Sequence, residues 1–328
     1  MQYDDNTTRR TVLAAAASSA AVASSSASLA HAATSRAKGP LVWLDMDQQA
    51  LDDAYDQVVY APNRDQVGKR RIVNSEKARA VIGDPECVAY GPTEIEKADI
   101  YRTKRANAPV NIFVHGGAWR ANKAADYSFL AEPFVNAGAH FVVLDFINVD
   151  DAGGNLFPMV EQVRRAVGFI YRNAKSFGGD PDRLYLSSHS SGSHLGGCVV
   201  THDWRKDNLP PDIIKGAVLG SGMYDLKPVR LSKRSKYVKF TDEMEEALSA
   251  QRHIDKLTAP LIVAHGTYET PEFQRQSRDF VAAVKAAGKS AELLVGEGYN
   301  HFEMLETLAN PYGLLGRAAF AQMRLSAV

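Results

Sequence analysis

The sequence predicts a doubly wound α/β fold, in which a mostly parallel central sheet carries helices on both faces. Two observations predict it: short apolar runs without polar alternation, and stretches of helical apolar spacing that separate these runs. A strand that is buried on both faces has no polar side to show, so it reads as a continuous apolar run. The length of 328 residues is ample for one large domain of this kind.

The regular alternation of strands and helices begins at residue 87. Strands are predicted at residues 87–90, 99–101, 110–114, 141–146, 184–186, 217–219, 261–264 and 293–295. Helices are predicted at residues 124–136, 159–174, 191–200 and 273–287, and a helical tail follows the last strand. Because the alternation continues to residue 328, we expect one α/β domain over residues 87–328.

The segment before this domain has a different pattern. Residues 40–86 show helical spacing and few strand signals, so we expect one helix that ends before Pro62 and another through residues 76–81. We expect residues 33–86 to form an N-terminal helical part of a small cap over this domain.

The alternation also stops once inside the domain, after the sixth strand. Residues 222–258 are predicted as an insertion that contributes the rest of the cap. The basic run at 230–239 precedes an acidic helix at 242–246, and we favour a solvated surface in which the two face each other.

Residues 1–32 have the composition of an export signal. Arg9 and Arg10 precede an Ala/Ser-rich stretch that ends in Ala30-His31-Ala32, a small-residue cleavage site. The arginine pair and the weak hydrophobicity resemble the twin-arginine type. The alternative is a disordered Ala/Ser tail. We expect an exported protein, periplasmic or secreted.

The composition excludes several classes of partner. Lys and Arg together number 38, as do Asp and Glu, so the formal charge is zero and bulk attraction to nucleic acid is not expected. Two cysteines cannot build a disulfide framework or a Cys-based zinc site. No run reaches the roughly 18 strongly apolar residues of a membrane helix, so stable membrane insertion is not expected. The oligomeric state is left open.

The turn between the strand at 184–186 and the helix at 191–200 contains a candidate nucleophile. Residues 188–192 read Ser-His-Ser-Ser-Gly, close to the G-x-S-x-G elbow that places a serine on a strained strand-to-helix turn. Only Ser190 has small residues two places before and after it. Ser188 stands where the pattern has glycine. The alternative is a serine-rich helix cap.

A second motif predicts an oxyanion hole. Residues 115–119 read His-Gly-Gly-Ala-Trp and follow the strand at 110–114. Glycines let backbone N–H groups face the carbonyl oxygen on which negative charge develops. We expect the N–H groups of Gly117 and Ser191 to serve as donors, with Gly116 or Ala118 as a further donor.

Side chains beside these motifs are candidates for the substrate pocket. Trp119 follows the oxyanion loop and is predicted to line the pocket, with ordinary core packing as the alternative. His189 precedes the nucleophile and is also placed at the pocket. Both His189 and His194, which lies one helical turn beyond Ser190, are expected to have structural roles.

The remaining catalytic groups follow later strands. His301 lies just after the last strand and is the candidate general base. Glu269 follows the strand at 261–264 and is the candidate acid that orients the imidazole. The chain order Ser, Glu, His is that of the nucleophile-elbow hydrolases. Asp225 is the alternative acid, and Glu272 is expected in the first turn of the next helix.

On these motifs the chain resembles the α/β-hydrolase superfamily over residues 87–328. The loop at 115–119 is similar to the H-G-G-x-W loop of kynurenine formamidases (arylformamidases) and related bacterial esterases. The resemblance implies an acid after the seventh strand, which favours Glu269. Two departures are Ser188 in place of glycine and Glu in place of the more common Asp.

Taken together, the residues predict a serine hydrolase that cleaves a carboxylic ester of a small or aromatic substrate through an acyl-enzyme. No metal and no organic cofactor is expected. An aryl formamidase or small amidase with the same residues is the alternative, and a non-catalytic binding protein of the same fold is a minor one.

Overall fold

The computed structural model describes residues 37–327, and its centre is an eight-stranded sheet. The strands are β1 (Leu41–Trp43), β2 (Met46–Asp47), β3 (Glu86–Ala89), β4 (Lys97–Tyr101), β5 (Ala108–Val114), β6 (His140–Leu144), β7 (Gly179–His189), β8 (Ile214–Gly220), β9 (Leu261–Gly266) and β10 (Ala291–Gly296). The α-helices are α1 (Gln48–Ala54), α2 (Arg64–Ile82), α3 (Ala131–Asn136), α4 (Phe157–Asn173), α5 (Ser191–Val200), α6 (Leu226–Leu231), α7 (Asp242–Leu248), α8 (Pro271–Ala286), α9 (His301–Glu306) and α10 (Leu314–Met323). The predicted export signal at 1–32 lies outside the described residues.

The sheet confirms the predicted fold class. Its strand order is β10-β9-β8-β7-β5-β6-β4-β3, and neighbours from β10 to β6 run parallel. At one end of the sheet, β4 runs antiparallel to β6, and the edge strand β3 runs antiparallel to β4. Every residue of β5 and of β6 is buried, which explains why these strands read as continuous apolar runs.

Helices cover both faces of the sheet. Along β5, Ile112 belongs to a hydrophobic cluster with α4, α5 and α8, whereas its neighbour Phe113 belongs to a cluster with α3 and α10. In β6, Val142 belongs to the first of these clusters and Val143 belongs to the second. Because successive side chains of a strand point to opposite faces, the two clusters lie on opposite sides of the sheet. Among residues 37–327, no helix is long and apolar enough to cross a membrane.

The N-terminal segment differs from the prediction in two places. A short hairpin, β1–β2, precedes α1, and its turn places Leu44 at φ 48°. The second helix is α2, which is much longer than the predicted stretch at 76–81. Its buried residues are only Val67, Ser75 and Ala78, so its apolar spacing is too sparse to reveal its length.

The predicted helix at 124–136 is divided. Residues Ala124–Leu130 form a 3-10 helix, and α3 follows directly. Pro133 is the third residue of α3 and has no N–H to donate to the preceding turn. The α-helical hydrogen bonding therefore begins only at α3.

The insertion at 222–258 contains α6, α7 and three short 3-10 turns. Arg230 pairs with Asp242 and Glu245 of the acidic helix, in agreement with the predicted solvated surface. For Arg234 that prediction is wrong, because the residue is only 7% exposed and packs against the N-terminal segment.

Candidate active site

Ser190 lies at the sharp turn between β7 and α5. Its backbone has φ 59° and ψ −129°, a strained conformation for a non-glycine residue, and its N–H donates to the carbonyl of Gly220 at 2.9 Å. Gly192 is needed here because a Cβ would lie 2.2 Å from the carbonyl oxygen of Val114. The turn therefore holds the Ser190 side chain at the carboxyl end of the sheet.

Ser188 is accommodated in the place of the usual glycine. Its hydroxyl lies 3.0 Å from the hydroxyl of Ser193, which itself donates to the carbonyl of Gly220 at 2.7 Å. Because Ser193 uses its proton on that carbonyl, Ser188 is the donor between the two hydroxyls. The departure from the motif thus adds a hydrogen bond beneath the turn.

His301, the first residue of α9, joins the serine to the acid. Its Nε2 lies 2.8 Å from the Ser190 Oγ, and its Nδ1 lies 2.8 Å from Oε2 of Glu269. In the neutral imidazole, Nδ1–H donates to the carboxylate and Nε2 accepts from the serine hydroxyl. The structure brings the three predicted catalytic side chains into one hydrogen-bonded chain.

Glu269 is buried and accepts hydrogen bonds at both carboxylate oxygens. Oε1 accepts from the Ser221 hydroxyl at 2.6 Å and from the Gly266 N–H at 2.8 Å. Oε2 accepts from His301 and from Nε2 of Gln57 at 3.2 Å. These donors fix the carboxylate and supply the polar partners that a buried charge requires.

The two other acidic candidates do not reach His301. Asp225 caps α6 and pairs with Arg252 at 3.1 Å. Glu272 lies in the first turn of α8, as expected, and is buried against Arg275 and the hydroxyl of Tyr55. The geometry therefore favours Glu269 over Asp225.

The loop at 115–119 lies directly against the nucleophile. A Cβ on Gly116 would be 2.7 Å from both the carbonyl oxygen of His189 and the Cβ of Ser190. Within residues 37–327, the N–H groups of Gly117 and Ala118 donate to no other group, while the Trp119 N–H donates to the Ser191 hydroxyl at 3.1 Å. The N–H groups of Gly117 and Ala118 thus remain available at the serine.

Trp119 does not line the substrate cavity, so that prediction is wrong. Both Ala118 and Trp119 have positive φ, and the chain turns the indole back toward α5. There its Nε1 donates to Nδ1 of His194 at 3.2 Å, and Nε2 of His194 lies 3.0 Å from the carbonyl oxygen of Leu248. Burial lowers the pKa of His194 to about 4, which keeps the ring neutral and able to accept this bond.

His189 lies at the cavity, where it was predicted, and it also supports the base. Its Nε2 donates to the backbone carbonyl of His301 at 2.8 Å, and the two ring centroids are 4.7 Å apart. Burial, and then the nearby charge of a protonated His301, hold the pKa of His189 well below its usual value. His189 is therefore a neutral donor at neutral pH.

A cavity of about 310 Å³ opens in front of Ser190 and His301. The N-terminal segment and the insertion at 222–258 both contribute residues to the wall of this cavity. The N-terminal segment provides Tyr55, Asp56, Gln57, Val58, Val67, Gly68 and Arg71, and the insertion provides Lys233, Arg234 and Tyr237. Among residues 37–327, no group of three or more His, Cys, Asp or Glu side chains is arranged to hold a metal ion.

Sequence reasoning missed four residues of the site: Gln57, Arg71, Ser221 and Arg234. Ser221 directly follows β8, so its position after a strand was a usable signal. Arg234 lies inside the basic run that was interpreted as a solvated surface. Gln57 and Arg71 belong to segments without a recognisable motif, and their roles depend on contacts with distant parts of the chain.

Comparison with known proteins places this chain in a family. The BD-FAE family model matches residues 98–209. Kynurenine formamidase of Danio rerio is 30% identical over 286 residues, which are 83% of this chain and 95% of that protein. The isoprenylcysteine alpha-carbonyl methylesterase ICME of Arabidopsis thaliana is 26% identical over 66% of this chain and 56% of the plant protein.

Among solved structures, a provisionally assigned thioesterase of Silicibacter sp. tm1040 is similar with a TM-score of 0.71. It is 24% identical, and the match covers 81% of this chain and 97% of the other. The protein is an α/β-hydrolase. Within that fold the chain belongs to the kynurenine formamidase family.

Proposed function

We propose that the protein is a serine hydrolase that cleaves a carboxylic ester of a small or aromatic substrate. The observation that carries the proposal is the hydrogen-bonded chain Ser190–His301–Glu269, which ends at a cavity with aromatic walls. A serine hydroxyl is a weak nucleophile until an adjacent base accepts its proton, and His301 is 2.8 Å away in the orientation that allows this transfer.

In the proposed reaction, the Ser190 Oγ attacks the ester carbonyl carbon while Nε2 of His301 takes the hydroxyl proton. The N–H groups of Gly117, Ala118 and Ser191 hold the oxyanion. The C–O bond to the alcohol then breaks, and His301 returns the proton to the leaving oxygen. Water attacks the acyl-enzyme with His301 again as base, which releases the acid and restores Ser190.

The second candidate is hydrolysis of an aryl formamide by the same residues. It is favoured by the 30% identity to a kynurenine formamidase over 83% of the chain. In this reaction the formyl group would be transferred to Ser190, and His301 would protonate the departing aryl amine. Both candidates need the same three side chains, so they differ only in what the cavity accepts.

Two measurements test the proposal and separate the candidates. A fluorophosphonate probe should label the parent protein on Ser190 and should leave Ser190→Ala unlabelled. Rates with p-nitrophenyl esters of increasing acyl length are then compared with the rate for N-formylkynurenine. Preference for the formamide would replace the ester by the second candidate. Absence of both an adduct and turnover would support a non-catalytic binding protein.

We further propose, from residues 1–32 alone, that the protein is exported by a twin-arginine route. Substituting Lys for both Arg9 and Arg10 should retain the precursor in the cytoplasm. Normal export of that double variant would contradict the route.

A further inference from the structure

Gly68 is a glycine that neither the backbone nor the packing requires. All 24 glycines of the chain lie among residues 37–327. Every other one either has a positive φ or would bring an added Cβ within 4 Å of another atom. Gly68 lies inside α2 without a positive φ, and a Cβ built on it would meet no atom within 4 Å. A side chain would therefore fit at this position.

The energetics of a helix oppose glycine here. Gly68 is the fifth of the 19 residues of α2, so it lies in the helix and not at its end. In a helix interior, glycine is the least favourable residue after proline, because it loses the most backbone freedom on folding. The missing side chain thus lowers the stability of α2, and the space that it leaves calls for a use.

That space belongs to the substrate cavity. Gly68 lines the cavity together with Val67 and Arg71 of the same helix. Val67, Ser75 and Ala78 are the buried residues of α2, and with Arg71 they fall along one face because they are spaced by three or four residues. Gly68 lies at the edge of this face, so a side chain on it would enter the cavity.

The neighbouring wall is largely apolar. α2 packs against the 3-10 helix Ala124–Leu130 and against α9, and these two elements contribute Phe129, Phe302 and Leu305 to the cavity. The Phe302 ring lies perpendicular to the imidazole of His301, with the centroids 5.3 Å apart. An apolar surface therefore extends from α2 to the catalytic base.

The charged residue of α2 in this wall is engaged by protein groups. The Arg71 guanidinium donates to the Tyr127 hydroxyl at 3.2 Å and to the side-chain oxygen of Asn122 at 3.1 Å, and it lies over the Tyr127 ring. The space at Gly68 is thus suited to an apolar group of the substrate, whose burial is favourable.

We propose that Gly68 sets the depth of the cavity beside α2, and that the substrate places a bulky apolar group, such as an aromatic ring, in the space that a side chain would fill. Any side chain at position 68 would compete with this group for the same volume. The inference rests on the proposed function and identifies a residue that decides which esters are accepted.

Substrate pairs of different size test the proposal. Phenyl acetate and 1-naphthyl acetate differ in the size of the leaving group, whereas phenyl acetate and phenyl 3-phenylpropanoate differ in the size of the acyl group. In at least one pair, Gly68→Leu should lower the ratio of kcat/KM for the larger ester to that for phenyl acetate at least about tenfold, the effect expected when a few carbon atoms no longer fit. The intrinsic reactivity of each ester cancels, because parent and variant are compared on the same pair.

Gly68→Ala is a milder variant that keeps the test independent of folding. Alanine is the better helix former and its Cβ meets no atom, so the melting temperature should rise by about 1–3 °C. The same ratio of kcat/KM should fall about two- to fivefold. Lys69→Leu is the matched control, since it adds leucine at the next position of α2, where the side chain is exposed and outside the cavity wall. It should leave the ratio within about twofold of the parent.

A binding measurement does not depend on turnover. In the Ser190→Ala background, the larger ester of the responding pair should raise the melting temperature, and Gly68→Leu should remove this rise whereas Lys69→Leu retains it.

Three results overturn the proposal: the parent hydrolyses neither larger ester, Gly68→Leu leaves both ratios unchanged, or Lys69→Leu lowers them equally. A fall in melting temperature with Gly68→Ala also overturns it, because the fold itself would then require the glycine. Turnover of phenyl acetate with unchanged ratios leaves the proposed function intact, whereas failure of that function would appear as loss of all turnover and of the Ser190 adduct in the parent.

Discussion

The floor and the roof of the cavity are built in different ways. By the floor we mean the strand-end loops that carry the candidate catalytic groups, at 115–119, 188–192, 266–270 and 300–301. By the roof we mean the segments 55–71 and 230–237, which supply cavity-wall residues from outside the sheet. Floor side chains are fixed by backbone geometry, as in the strained turn at Ser190. The roof is held by contacts between short segments, such as Lys233 to Asp56 and Arg234 to the carbonyl of Tyr55.

This difference separates the reaction from the choice of substrate. Chemistry needs groups placed on rigid elements, and the ends of a buried parallel sheet provide them. The roof contributes the polar and aromatic wall that a substrate contacts. Its segments lie outside the sheet, and connecting segments of this kind tolerate sequence change better than a core strand. Substitutions in the floor should therefore reduce all activities together, whereas substitutions in the roof should change the ranking of substrates.

The largest effect is expected from the nucleophile. Ser190→Ala should reduce kcat for every ester and formamide by at least about 10⁴-fold, and His301→Ala should be nearly as severe, because the triad acts as a unit. The melting temperature checks that the fold is intact. Substantial turnover by Ser190→Ala would show that another group performs the attack.

Loss of the acid should cost less. Glu269→Gln should lower kcat by about 10³- to 10⁴-fold, since an amide at this position no longer stabilises the protonated imidazole of His301. Asp225→Asn is the control and should remain close to the parent. If the control were the more damaging change, the acid would be misassigned.

Substitution of Ser188 perturbs the floor without touching the reacting groups. Ser188→Val places a branched side chain where α5 packs on β7, which should cost roughly 1–3 kcal/mol of stability. A displacement of Ser190 by about 1 Å can cost on the order of a hundredfold in rate, so activity should fall more than stability. Ser188→Gly should stay within a few-fold of the parent. Turnover and melting temperature are measured side by side, and an unaltered valine variant would contradict the elbow assignment.

The smallest loss of activity is expected at Gln57, a roof residue that donates a hydrogen bond to the acid Glu269. Gln57→Leu removes one of the donors to Glu269 and should lower kcat about tenfold with little change in KM for a neutral ester, because the carboxylate is less well oriented. Gln49→Leu is the matched control, since the exposed Gln49 side chain donates to Asp53 on the surface of α1. A change in KM alone would mean that Gln57 contacts substrate and does not position the acid.

The catalytic groups of the floor could be predicted from the sequence, whereas the contacts of the roof could not. The nucleophile, acid and base each lie in the turn or loop after a predicted strand. Parallel strands bring their carboxyl ends to one edge, so Ser190, Glu269 and His301 could be selected from local patterns. The extent of α2 could not be predicted, because few of its side chains are buried.

Roof contacts could not be predicted because they join distant positions. Gln57 and Glu269 are 212 residues apart, and Arg234 is 179 residues from Tyr55. No local pattern distinguishes a buried arginine from a solvated one within a basic run. Trp119 was misplaced for a related reason: two consecutive residues with positive φ reverse the chain, and a one-dimensional motif does not record that turn.

The stretch from Tyr55 to Gln57 contacts both the cavity wall and the catalytic acid. The backbone carbonyl of Tyr55 accepts a hydrogen bond from the Arg234 guanidinium. Two residues later, the side-chain amide of Gln57 donates to the Glu269 carboxylate. A substitution that adapts this stretch to a new substrate should also disturb one of the four donors to the orienting acid. We therefore expect selection for a new substrate at this stretch to be accompanied by compensating changes around the acid.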